Sequence, residues 1–201
     1  MTRLPLAERA PVYDFAARLL ASEVDAATWS AFTTEPLRSI LDKARPGFAR
    51  WAEGEFDAAR RAALDEEFAR LFLVPGLVPP LAARWLVETI GDEAAREATR
   101  AEVANIVALA CEGLGIDAKP DGPGGRLPPD HAALIFAIAA EAARRPHAEQ
   151  DVLLARFDET LLGPGWAAMG DALVEHARQP IYAALGVLIR ELGEPEAAGP
   201  R

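Results

Sequence analysis

Apolar side chains in this chain return every three or four residues, and no segment alternates Val, Ile or Thr with polar neighbours. That period belongs to helices with one buried face, so the pattern predicts an all-α protein. Alanine and leucine, the strongest helix formers, dominate a composition that is 51% hydrophobic. The first helix is expected from about Leu6 to Ser22, with Val12, Phe15, Ala16, Leu19 and Leu20 inward and Pro11 in its first turns. Asp25 is a predicted N-cap for a helix carrying Trp29 and Phe32. Pro36 restarts a short helix through Leu37, Ile40 and Leu41, ended by Pro46-Gly47; Phe48 and Trp51 follow on a turn. Asp57 then caps a long helix. Beyond Pro79-Pro80 a short helix holds Leu81, Trp85 and Leu86, and another opens at Gly91-Asp92 and carries Val103, Ile106, Val107, Ala110 and Leu114. Helices over about 130–145, 147–162, 166–178 and 180–192 complete a single bundle of roughly ten.

Two stretches break the helical rhythm. In the first, Leu64, Phe68, Leu71 and Phe72 form a helical face that runs into Val74-Pro75-Gly76-Leu77-Val78-Pro79-Pro80. Loops are usually polar, so an apolar one implies packing against another element or a ligand. In the second, Gly113 to Pro129 is rich in Gly, Pro and Asp, and Gly115 to Gly125 within it holds nothing that sustains a helix. A loop this long marks a hinge or a functional segment. The expected organisation is an N-terminal helical subdomain over 1–114, a hinge over 115–129, a C-terminal helical subdomain over 130–192 and a disordered tail over 193–201. A long hinge also permits a domain-swapped homodimer.

The chain carries 21 basic and 31 acidic residues, a formal charge of −10. Residues 1–120 hold 14 basic and 19 acidic side chains and residues 121–201 hold 7 and 12, so each half is −5. That field repels phosphate backbones and argues against a nucleic-acid partner, while it favours a cationic peptide. Lone Cys111 has no partner for an intramolecular disulfide, which fits a reducing compartment. Glu8, Arg9 and Asp14 interrupt any secretory h-region, and Ala132 to Ala143 is too short to span a bilayer. A soluble cytoplasmic protein with no membrane insertion is expected.

Catalytic and metal chemistry find little support. His131, His147 and His176 lack Cys or His partners at ligand spacing, so no metal is expected. Cys111 sits mid-helix, where burial raises a thiol's pKa. No phosphate-binding fingerprint is present, and no cofactor is expected. Adjacent carboxylates such as Glu66-Glu67 point to different helix faces, as on a solvated surface. Asp130-His131 differs: Asp130 follows two prolines and precedes a helix, which makes it an N-cap, yet a capping aspartate can keep one oxygen outward. His131 beside it titrates near neutral pH when unperturbed.

Taken together, Glu67-Phe68-x-x-Leu71-Phe72, Pro75-Gly76, Pro79-Pro80 and Pro129-Asp130-His131 resemble the TorD/DmsD/NarJ-type chaperones. The similarity extends through Phe157-x-x-x-Leu161-Leu162, Trp166 and Ala177-x-x-Pro180-Ile181-Tyr182-x-x-Leu185. Arg126-Leu127 stands where the family often has Glu-Gln, and Leu81-Ala82-Ala83 where aromatic and small polar residues are usual. The resemblance implies a cytoplasmic, non-enzymatic helical chaperone that holds a molybdenum-containing oxidoreductase subunit, through its twin-arginine signal peptide, until the cofactor is loaded. Such a peptide joins a cationic segment to an apolar one. Phe68, Phe72, Leu77 and Trp85 offer apolar contacts, Glu67 and Asp130 offer charge, and His131 lies beside Asp130. Two alternatives stay open: an assembly factor gripping the body of the subunit, and a small-molecule or nucleotide-binding enzyme.

Overall fold

The computed structural model describes residues 6–73, 75–86, 93–116, 121–122, 125–145, 161 and 165–193. Among them are ten helices: α1 (Leu6–Ala21), α2 (Ala26–Thr33), α3 (Leu37–Ala44), α4 (Phe48–Ala52), α5 (Ala58–Phe72), α6 (Ala82–Leu86), α7 (Glu93–Leu114), α8 (Ala132–Ala143), α9 (Gly165–His176) and α10 (Pro180–Gly193). The fold is all-α. Its only described strands are the two-residue β1 (Asp121–Gly122) and β2 (Gly125–Arg126), paired antiparallel within the expected hinge.

Local signals start the helices where the chain chemistry asks for them. The Asp25 carboxylate accepts the Thr28 N–H at 2.7 Å and Asp57 accepts that of Arg60 at 2.8 Å, each satisfying a first-turn donor. Phe48 and Trp51, expected on a turn, lie in the short α4, which the chain enters through Gly47 at φ 91°, a left-handed conformation that suits glycine.

The core runs through the whole molecule. Trp29 meets Phe32, Trp51 and Phe56 at ring distances of 5.1–5.3 Å in the first part of the chain. α8 lies along α1, with Tyr13 stacked on Phe136 at 6.2 Å, and Phe136 in turn meets Trp166 of α9 at 5.0 Å. α9 and α10 form a close antiparallel hairpin. A Cβ added to Gly170 would stand 2.6 Å from the Gly186 carbonyl, so a side chain there would force the two backbones apart. Buried residues on both sides of the expected hinge belong to one apolar cluster, so the 1–114 and 130–192 division follows the chain rather than two separate cores.

Of the hinge, 117–120 and 123–124 fall outside the described residues, as do Gly91-Asp92 and the tail from 194. The helix expected over 147–162 is likewise outside them, except Leu161, which is helical and fully buried. No helix among the described residues is long and apolar enough to cross a membrane.

Candidate functional site

The two proline-rich segments meet. After α5 the chain folds back, and the Leu77 and Val78 N–H groups donate to the Arg70 and Leu71 carbonyls at 3.2 and 2.7 Å, satisfying the end of that helix. Gly76 makes the reversal possible, because a Cβ there would lie 2.6 Å from the Leu71 carbonyl oxygen. Val78 is fully buried, which accounts for part of the loop's apolar character, whereas Leu73 and Leu77 are 50% and 48% exposed. Pro79-Pro80 then runs beside Pro128–Asp130. The Ala82 N–H donates to the Asp130 carbonyl at 2.7 Å and the Ala132 N–H donates to the Pro80 carbonyl at 2.8 Å. These bonds flank an antiparallel bridge between Leu81 and His131, and they satisfy first-turn donors of α6 and α8 at once. Trp85, half-buried on α6, fastens the same segment by donating its indole N–H to the Pro79 carbonyl at 2.8 Å.

The N-cap of α8 is His131, one residue beyond the expected Asp130: its Nδ1 accepts the Ala133 N–H at 3.2 Å. The bridge to Leu81 explains the shift, since it fixes the backbone of 130–132 and leaves the imidazole facing the helix start. Burial pushes the His131 pKa down to about 4, so the ring is neutral at physiological pH instead of titrating near it.

Released from capping, Asp130 lies on the wall of a cleft of 560 Å³, within the range of small-ligand sites. Among the described residues α7 contributes Glu97, Arg100, Ala101 and Ala104; Leu81, Pro128 and Pro129 complete the wall with Asp130. The Asp130 side chain is 4% exposed, and its Oδ2 accepts no hydrogen bond from any described residue. The one described cation near it is Arg100, whose Nε stands 3.8 Å from Oδ2, beyond hydrogen-bond length. A buried carboxylate oxygen without a donor is costly and calls for a partner. The N-terminus of α8 next to it favours negative charge.

The other expected site residues lie elsewhere. Phe68 and Phe72 are buried, meet edge to face at 5.3 Å, and Phe72 packs on Tyr182 of α10 at 5.6 Å. Neither lines the cleft. Glu67 is also buried, and it holds the corner between α9 and α10. Its carboxylate takes a two-pronged bond from Arg70, Nε to Oε2 and Nη2 to Oε1, both at 2.9 Å. Oε1 also accepts the backbone N–H groups of Arg178 and Gln179, at the start of α10. Arg70 in turn donates to the His176 carbonyl at the end of α9. Burial acts to raise the Glu67 pKa, but the bonds from Arg70, Arg178 and Gln179 outweigh it and hold the carboxyl below its ordinary value. Glu66 beside it is exposed, as a solvated surface requires.

Thus the Pro79–Leu81 segment links Trp85, His131 and Asp130, but of the expected site residues only Asp130 lines the cleft, and Glu67, Phe68 and Phe72 lie apart in the helical packing. Glu97 and Arg100 are site residues that the sequence reading did not single out. Glu97, Arg100, Ala101 and Ala104 recur at helical spacing on α7, flanking the buried stripe of Val103, Ile106 and Val107, and that neighbouring stripe was the available signal. Among the described residues no cluster of three His, Cys, Asp or Glu could hold a metal ion. Burial raises the pKa of the Cys111 thiol, as expected for an unreactive core cysteine. A scan against protein-family models found no match, and neither the curated proteins nor the solved structures searched match the chain.

Proposed function

We propose that this protein is a cytoplasmic chaperone of the TorD/DmsD/NarJ type, which holds a molybdenum-containing oxidoreductase subunit by its twin-arginine signal peptide until the cofactor is inserted. The reading is one of binding without catalysis. The observation that carries it is Asp130: a carboxylate only 3% exposed, with an oxygen that has no donor among the described residues, in the wall of a cleft. A guanidinium from a guest is a fitting partner, because its forked N–H groups match a carboxylate in both charge and geometry. Exposed Leu77 lies four residues before Leu81 of the cleft wall, at most about 14 Å away along the chain. An apolar segment following the guest's arginines can therefore reach Leu77. The formal charge of −10 speeds the approach of a cationic peptide.

Calorimetric titration with a synthetic signal peptide containing an adjacent arginine pair tests the reading. The wild type should bind, and Asp130→Asn should bind at least about tenfold more weakly, the usual scale for losing a buried charge-assisted bond. Absence of binding to both the peptide and the intact subunit would falsify it. If the subunit lacking its signal segment binds as tightly as the complete one, the grip is on the body of the client instead.

A further inference from the structure

We propose that Arg100 is a resident stand-in for the guest at Asp130, so that binding in this cleft is an exchange of one guanidinium for another. The inference rests on the peptide-binding reading only for the identity of the guest; the exchange itself concerns any guanidinium. Three observations on the same wall carry it. First, Asp130 Oδ2 has essentially no contact with solvent, so no guest reaches it until something moves. Second, the described cation facing it, Arg100, is placed to move: its side chain is 62% exposed and its Nε, at 3.8 Å, makes no hydrogen bond to the carboxylate. Third, Glu97 lies three residues earlier on α7 and lines the same cleft. At that spacing the two side chains are neighbours on the helix surface, so Arg100 finds a second carboxylate when it leaves the first.

The loose pair neutralises a buried charge without saturating it. An incoming guanidinium that closes to an ordinary charge-assisted distance of about 2.7–2.9 Å gains what Arg100 does not take. Arg100 then acts as an internal competitor that lowers the apparent affinity by the fraction of molecules in which it covers Asp130. The reduction is the same factor for every ligand that needs that carboxylate.

Ethylguanidinium chloride, followed by NMR titration of the full chain, reads this without a client. Arg100→Ala is expected to bind it about two- to threefold more tightly than the wild type, as removal of a competitor that covers the site roughly half to two-thirds of the time requires. The gain should vanish in the Asp130→Asn background, which separates the local exchange from a general change in charge. Circular dichroism of each variant checks that the helices are retained, and the surface position of Arg100 makes its variant the secure one. The signal peptide should tighten by the same factor in Arg100→Ala. Equal affinities of wild type and Arg100→Ala for ethylguanidinium, or a gain that survives in the Asp130→Asn background, would overturn the exchange, and so would failure of both to bind the probe. If the probe behaves as expected while the peptide binds no variant, the exchange stands and the signal-peptide reading falls.

Discussion

Glu67 and Asp130 are both acidic, and both are left only 3% exposed, but the protein treats them in opposite ways. Glu67 receives two bonds from Arg70 and two from backbone N–H groups at the start of α10. Its negative charge sits at the N-terminus of α10, while Arg70 meets the C-terminal carbonyl of α9, so each charge faces the helix end it stabilises. Asp130 has one cation at 3.8 Å and an oxygen with no donor among the described residues. Both Glu67 oxygens are bonded, whereas one Asp130 oxygen lacks a donor among the described residues. Burial of a carboxylate therefore does not single out a candidate site; at Asp130 an oxygen without a described donor in the wall of a cleft does.

The largest expected effect separates the two directly. Glu67→Ala strips the partner from Arg70 and from two backbone donors, and should destabilise the protein by about 3 kcal/mol, the cost of breaking a buried ion pair from one side. Asp130→Asn, which removes a charge already poorly paired, should stay within about 1 kcal/mol of the wild type. Urea unfolding of both variants gives the answer. Equal losses would mean that Asp130 is as structural as Glu67, and the contrast would collapse.

A second test uses pH. Burial holds the His131 pKa at about 4 against an ordinary value of 6.5, so between these values the unfolded chain binds a proton that the folded one excludes. Stability is then full above pH 6.5 and falls as pH drops toward 4, by on the order of 1 kcal/mol per unit. Protonation would also break the cap, because Nδ1 must accept the Ala133 N–H. His131→Asn keeps a good capping acceptor and removes the titration, so its stability should be flat across that window. Glu67, with a lowered pKa, loses its contribution only as pH falls below the ordinary carboxylate value of 4.5. Acid therefore loosens the cleft side of the molecule before the corner. Equilibrium unfolding at pH 7, 6, 5 and 4 measures the difference.

The fold was legible because its signals are local. Asp25 and Asp57 cap the helices they precede, and the periodic Val103, Ile106, Val107, Ala110 and Leu114 all point inward on α7. The candidate site was legible only in part, because its decisive contacts are distant in sequence. Whether Asp130 or His131 caps α8 depends on a bridge to Leu81, and no local pattern reports that contact. Glu67 and Glu66 look alike in the sequence; only the turn at Arg178 and Gln179, more than a hundred residues away, buries one and not the other. Phe68 and Phe72 carry an apolar pattern that suits a groove or a core, and Tyr182 of α10 makes it a core. Arg100 escaped notice because a single arginine on an exposed helix face is ordinary until its neighbour across the cleft is known.

The smallest expected effect bears on the two arginines. Arg70→Lys keeps the charge beside Glu67 but replaces a fixed fork with a single ammonium, which cannot bond Oε1, Oε2 and the His176 carbonyl in the same geometry. The expected loss is about 1 kcal/mol, the scale of one or two net hydrogen bonds. Arg100→Lys changes a contact that is not a hydrogen bond, on a side chain in open solvent, and the shift should be under about 0.5 kcal/mol, as for an exposed ion pair. A measured cost at Arg100 matching that at Arg70 would mean that the 3.8 Å pair closes to full contact in solution. Asp130 would then be as saturated as Glu67, and a guest would have to break a tight pair to enter. A negligible cost leaves the carboxylate half-answered, which is the condition that lets another guanidinium take the place.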